Sequence, residues 1–184
     1  MRRFPVILLT LACAVALAQQ PENSGGLTPK AGTVSENLYT NLYFGMNLRI
    51  PQDWDVTFAA SEGACSPMCM LLDLRPKGYP KVKRTLTLTA ESLANSNGGQ
   101  VLMANSQLEQ AGVKKVAPSR PVEIAGKQFM RTDYASPGAG LYHVVLGFNA
   151  NKYAGVFEIS AESKTQVDTI IGDLAKGLSF VRGS

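Results

Sequence analysis

Across "VKRTLTLTAESL" (Val82–Leu93), Leu86 and Leu88 alternate with Thr85, Thr87 and Thr89. A period of two sends successive side chains to opposite faces, which commits the segment to a β-strand buried on one side. The same logic finds a strand in "GMNLRIP": Met46, Leu48 and Ile50 alternate with Asn47 and Arg49 until Pro51 ends the run. Gly45 precedes it at a tight turn. "MLLDLRP" (Met70–Pro76) predicts another strand, and Gln128–Tyr134, Leu141–Phe148 and Tyr153–Ala161 complete a sheet. Asn149–Lys152 reads as the polar hairpin turn between the last two.

Two helices accompany these strands. Gln100–Ala111 places Val101, Ala104, Leu108 and Ala111 on one stripe. The second is better defined, since Val167, Ile170, Ile171, Leu174 and Leu178 keep the three-four spacing of an amphipathic helix. Ser163 and Gln166 form a capping box at its start, Lys176 suits the negative end of its dipole, and Gly177 can end it. "LSFV" then returns to the sheet edge. Strands, helix, antiparallel strands and helix, without an internal repeat, predict a single α+β domain: an antiparallel β-sheet flanked by helices.

The first eighteen residues belong to a different class. Arg2 and Arg3 precede an apolar run from Phe4 to Leu17, and Ala16-Leu17-Ala18 offers the small residues a signal peptidase reads. This predicts a signal peptide over 1–18 and a secreted or periplasmic mature chain. The run is shorter than the about 20 residues a spanning helix needs, so the processed protein is not expected to be transmembrane. Cys13 after "LTLA" raises the alternative of a lipoprotein. Against it, the leucine stands one place too close to the cysteine, and apolar sequence continues beyond it as "AVALA".

Removing 1–18 leaves 166 of 184 residues, enough for one core, and takes away Arg2 and Arg3, so the formal charge falls from +4 to +2. That small excess argues against nucleic acid as a partner, because such binding neutralises several phosphates at once. Residues 19–36, with "QQPENSGGLTPKAGTVS", hold too few large side chains to offset their ordering entropy and predict a flexible linker, with the folded domain over 37–184.

Few residues in the mature chain suggest chemistry. Cys65 and Cys69 in "EGACSPMCM" are most simply a disulfide in an oxidising compartment, with Pro67 favouring the turn that brings them together. Three spacer residues do not make the Cys-x-x-Cys of a reducing site. Cys65, Met68, Cys69 and Met70 are also sulfur donors suited to Cu(I), and Cys65, Met68 and Cys69 with His143 form the alternative metal set. His143 is the single histidine and shares a strand face with Leu141 and Val145. A hydrolase would need a nucleophile and an acid beside it, and no Gly-x-Ser-x-Gly elbow is present. Asp53, Asp55, Asp73 and Glu158 are scattered along the chain and form no glycosidase pair. "NSNGGQ" (Asn95–Gln100) lacks the lysine of a phosphate loop. In "KGYPKVKR", Lys77, Lys81, Lys83 and Arg84 surround Tyr79. This is either an interaction patch for an acidic partner or lipid, or a solvated turn that protects a sheet edge. Trp54, the single tryptophan, reads as a packing anchor over a sheet end, with ligand stacking as the alternative.

Three segments together resemble PsbP-like domains. "YTNLYFGMNLRIPQDW" is similar to their opening, an aromatic-Asn hairpin, a glycine, a short strand and Pro-x-x-Trp. "VEIAGKQFMRTDY" is similar to their mid-domain strand-Gly-strand hairpin, and "YHVVLGFNANKYAGVFEISAESKTQVDTIIGDLAKGLSF" to their final hairpin, helix and Phe-ending strand. The likeness spans roughly 37 to 181. It implies the α/β/α sandwich shared by the photosystem II extrinsic PsbP proteins, the Ran-binding Mog-type proteins and many exported bacterial proteins. Characterised members mostly bind macromolecules, so the resemblance implies no catalytic residues, and "CSPMC" lies outside its pattern. The resulting expectation is an exported, non-catalytic binding module without a cofactor, engaging another envelope protein or a small ligand. Copper handling by the cysteine loop is the alternative, and a hydrolase built on His143 a more distant one.

Overall fold

The computed structural model describes residues 28–30, 32–60, 65–81, 83–95 and 103–181. Among them the strands are β1 (Gly32–Ser35), β2 (Leu38–Asn41), β3 (Met46–Arg49), β4 (Trp54–Ala59), β5 (Met68–Pro76) and β6 (Thr85–Ser92). They continue as β7 (Lys114–Lys115), β8 (Arg120–Ile124), β9 (Lys127–Ser136), β10 (Leu141–Ala150), β11 (Tyr153–Ala161) and β12 (Leu178–Phe180). The helices are α1 (Met103–Gln110) and α2 (Lys164–Gly177). The expected signal peptide, Cys13, the linker up to residue 27 and nearly all of "NSNGGQ" lie outside the described residues.

Every described pairing is antiparallel. The large sheet runs β4-β5-β6-β11-β10-β9, with β7 and β8 sharing the outer side of β9. In β6, Leu86, Leu88 and Ala90 point to one face, where they join Val144, Leu146 and Phe148 of β10 and Phe157 and Ile159 of β11. The apolar stripe of α2 (Val167, Ile170, Leu174) covers this face. On the opposite face, Ala104 and Leu108 of α1 pack on Tyr134, Val145, Ala154 and Val156. Burying one such aliphatic side chain contributes about 1.5–3 kcal/mol.

Two expectations are corrected. The antiparallel sheet is not single: β1-β2-β3-β12 form a second, four-stranded sheet whose Tyr39, Met46 and Leu48 enter the α2-side core. The helix-flanked layering is therefore met only in part. In addition, β1 falls inside the segment expected as a linker, paired with β2 from Gly32↔Asn41 to Ser35↔Leu38. Only Gly32 of this strand is buried, and it owes that to its missing side chain. A Cβ at Gly32 would sit 2.4 Å from the Tyr39 hydroxyl.

The local signals around α2 were legible, with two refinements. Ser163 Oγ accepts from the Gln166 amide at 3.3 Å, but the Gln166 side chain takes the Glu162 amide at 3.1 Å, one residue before the cap. Gly177 is not a left-handed terminator, since the helix passes directly into β12 at Leu178. Its missing side chain instead admits the Arg49 carbonyl, which would lie 2.8 Å from a Cβ. The turn before β3 follows expectation. Gly45 has φ 56°, its amide reaches Leu42 O, and buried Asn41 accepts from the Phe44 amide at 3.2 Å.

Candidate functional site

Cys65 and Cys69 are joined as a disulfide, Cα–Cα 5.2 Å apart, at the start of β5. The loop is held further by Tyr153, whose hydroxyl donates to Cys65 O at 2.6 Å. Cys69 pairs with Ala90, Ala90 with Gly155 and Gly155 with Phe148, so His143 stands three strands away and five residues further along β10. At about 3.3 Å per residue that offset alone is about 16 Å. The disulfide also packs on the α2-side core, whereas His143 faces the other way, on the side of Val145. The alternative set Cys65, Met68, Cys69 and His143 is thus not brought together, and both thiols are already bonded.

The basic turn between β5 and β6 divides between the two faces of the sheet. Lys83 lines an open pocket of about 250 Å³ with Tyr79, Pro80, Thr85, Leu141 and Ser160. Arg84, one residue on, turns to the opposite face. Lys77, Lys81 and Lys83 are exposed and form no ion pair among the described residues. Tyr79 is 50% exposed, yet its ring is held at 5.2 Å by the Arg75 guanidinium. Arg75 Nε in turn donates to Asp73 Oδ2 at 2.8 Å.

Asp73 centres a polar row across this face, accepting from Thr87 Oγ1 at 2.8 Å and from the Thr57 hydroxyl. Next along, Ser160 and Thr85 share a hydroxyl–hydroxyl hydrogen bond of 2.6 Å. His143 is the direct cross-strand neighbour of Ser160. Its Nδ1 is buried without a hydrogen-bond partner among the described residues, and burial pushes the imidazole below its ordinary pKa. Glu158 is half-buried. Burial raises its pKa and the Glu91 charge adds to this, while Arg75 opposes it. The Ser160 hydroxyl is thus engaged with Thr85, and no hydrogen bond links His143 to a nucleophile or an acid among the described residues.

On the α2 face, Arg84 lines a cleft of about 50 Å³ between α2 and the sheet. Leu48, Leu74, Leu86, Ile170, Leu174 and Trp54 form its apolar walls, and Arg49, Asp53, Thr169 and Asp173 add polar groups. Trp54 is 9% exposed and is fixed by the Pro51–Trp54 turn, its amide reaching Pro51 O at 3.1 Å. Arg84 Nε is buried and has no hydrogen-bond partner among the described residues. The signal that identifies this residue is parity, because Arg84 is in step with Leu86 and Leu88 and not with Lys83 and Thr85. The Asp73 row carries no such signal, since it depends on which strands become neighbours.

Among the described residues no three His, Cys, Asp or Glu side chains converge as a metal group, and no helix is long and apolar enough to cross a membrane. The fold is PsbP-like. The chain is similar to the solution structure of cyanobacterial PsbP (CyanoP) from Synechocystis sp. PCC 6803, with TM-score 0.54 and 8% identity over 85% of this chain and 96% of that one. It is also similar to the crystal structure of LpqN, involved in cell envelope biogenesis of Mycobacterium tuberculosis, with TM-score 0.40 and 10% identity over 74% and 83%. No family model and no curated protein matches the sequence.

Proposed function

We propose that the chain is an exported, non-catalytic binding module that docks an acidic envelope protein on the Tyr79 turn. The architecture is read as an α/β/α sandwich whose α1 side is left partly open at this end. The observation that carries the proposal is the Tyr79 ring, exposed but held by Arg75, which Asp73 holds in turn. An aromatic ordered before contact loses little entropy on binding, and such anchors dominate interface energetics. Lys77, Lys81 and Lys83 around it supply unpaired positive charge that steers an acidic partner. Asp73 with Thr57 and Thr87, and Thr85 with Ser160, hydrogen-bond one another, which suits a preformed surface better than turnover. Export rests on the residue 1–18 pattern, and the likeness of fold adds only analogy.

The test is capture from envelope extract by the mature chain, compared with Tyr79→Ala and Lys83→Glu variants of unchanged melting temperature. Both variants should lose at least about tenfold in capture, and added salt should weaken the wild type. Capture indifferent to both substitutions, or a hydrolytic turnover abolished by His143→Ala, would defeat the reading. Copper handling would require the disulfide to open. Counting free thiols on unreduced protein, then Cu(I) uptake after reduction, tests that alternative.

A further inference from the structure

The cleft beneath Trp54 lies on the opposite face of the large sheet from the Tyr79 turn, and its use does not depend on docking there. We infer that it binds a small monocarboxylate with a short apolar chain, the carboxylate held by Arg84. The Nε–H of Arg84 is buried without an acceptor. A buried donor on a charged group left unpaired is costly, so an acceptor delivered there gains more than the same contact made in water. The guanidinium edge matches a carboxylate in plane and spacing, and the pair is charge-assisted. Leu48, Leu74, Leu86 and Leu174 give the rest of the ligand an apolar bed.

Charge and size narrow the class. Arg49 and Arg84 line the cleft with Asp53 and Asp173, and Lys176 is tied to Asp173 at 2.9 Å. With Asp173 taken up by Lys176, which is not part of the lining, the two arginines are left with Asp53 alone, and one negative charge brings the group to neutrality. A phosphate dianion overshoots this balance and meets both aspartates. The volume of about 50 Å³ limits the occupant to a few heavy atoms.

Trp54 lines the cleft and is the single tryptophan, so its emission reports occupancy directly. The mature chain is titrated with butyrate, butan-1-ol and inorganic phosphate at constant ionic strength. Butyrate should give a saturable change, with butan-1-ol and phosphate each at least about tenfold weaker, the scale of one charge-assisted hydrogen bond. Arg84→Gln should weaken butyrate by a similar factor. If that variant does not fold, the butyrate-to-butanol comparison on wild type decides alone. Equal responses to acid and alcohol, no saturable response, or a butyrate-soaked crystal with only water at Arg84 Nε overturns the assignment.

Discussion

The far edge of the Phe148 ring covers Gly155, its cross-strand partner, so closely that a Cβ there would meet the ring at 2.4 Å. The ring touches Phe44, Phe129, Phe157 and Phe180, and Lys127 Nζ sits 5.1 Å above it. Gly155→Ala must push it off this cluster. Overpacking of this kind costs about 1–3 kcal/mol, which urea unfolding should register as a lower midpoint at unchanged slope. Ala125 presents the reverse case. It holds φ 51° beside Gly126 at φ 76° in the turn between β8 and β9, a conformation that suits Asn or Gly and strains Ala. Ala125→Asn should stabilise by about 0.5–1 kcal/mol, seen as a higher midpoint. The sequence marks the β8–β9 turn through Gly126, but the strain on Ala125 is visible only once the backbone angles are known.

At the scale of elements, α1 begins on a carboxylate from another strand. Glu91 of β6 is fully buried and accepts from the Met103 and Ala104 amides at 2.6 and 2.9 Å, satisfying two of the helix's unpaired donors. Burial raises its pKa and outweighs the two amide hydrogen bonds that lower it. A carboxyl with a raised folded-state pKa favours folding below its unfolded value, and that contribution is lost as pH rises through the folded value. Glu91→Gln, which does not titrate, should therefore gain stability relative to wild type as pH is raised from about 4 to 7. Denaturation at a series of pH values checks the slope, and parallel curves for the two proteins would refute it. The elements themselves were unequally legible. α2 and β6 carry their period in their own residues. β4 carries the same period as β6, Trp54, Val56 and Phe58 alternating with Asp55, Thr57 and Ala59. Beyond Trp54, however, this edge strand buries neither face, so the pattern does not say which side packs. The basic run "KGYPKVKR" was read as one patch, although the parity of β6 already divides Lys83 from Arg84.

Over the whole molecule, what was hidden is what depends on distant closure. The second sheet is completed where β12 returns to β3, Leu178 against Leu48. The sequence marks "LSFV" as an edge strand, but no window of it contains the strand that it joins. The Asp73 row and the Trp54 cleft are hidden for the same reason, each being assembled from strands or helices far apart in the chain. The cysteine loop is the opposite case, since both sulfurs lie within five residues and their pairing was the simplest reading. Its consequence for the molecule follows from that short span. Closing five residues constrains the unfolded chain by about 2 kcal/mol on the chain-entropy model. For a domain of this size that corresponds to about 4–8 °C in melting temperature. Cys65→Ala with Cys69→Ala should show this loss, and wild type in reductant should match it, because the Tyr153 hydrogen bond to Cys65 O needs only the backbone and survives both changes. Cu(I) added to the reduced wild type separates a clip from a metal loop. A clip stays at the lower melting temperature, whereas a metal site recovers it by binding the native state alone.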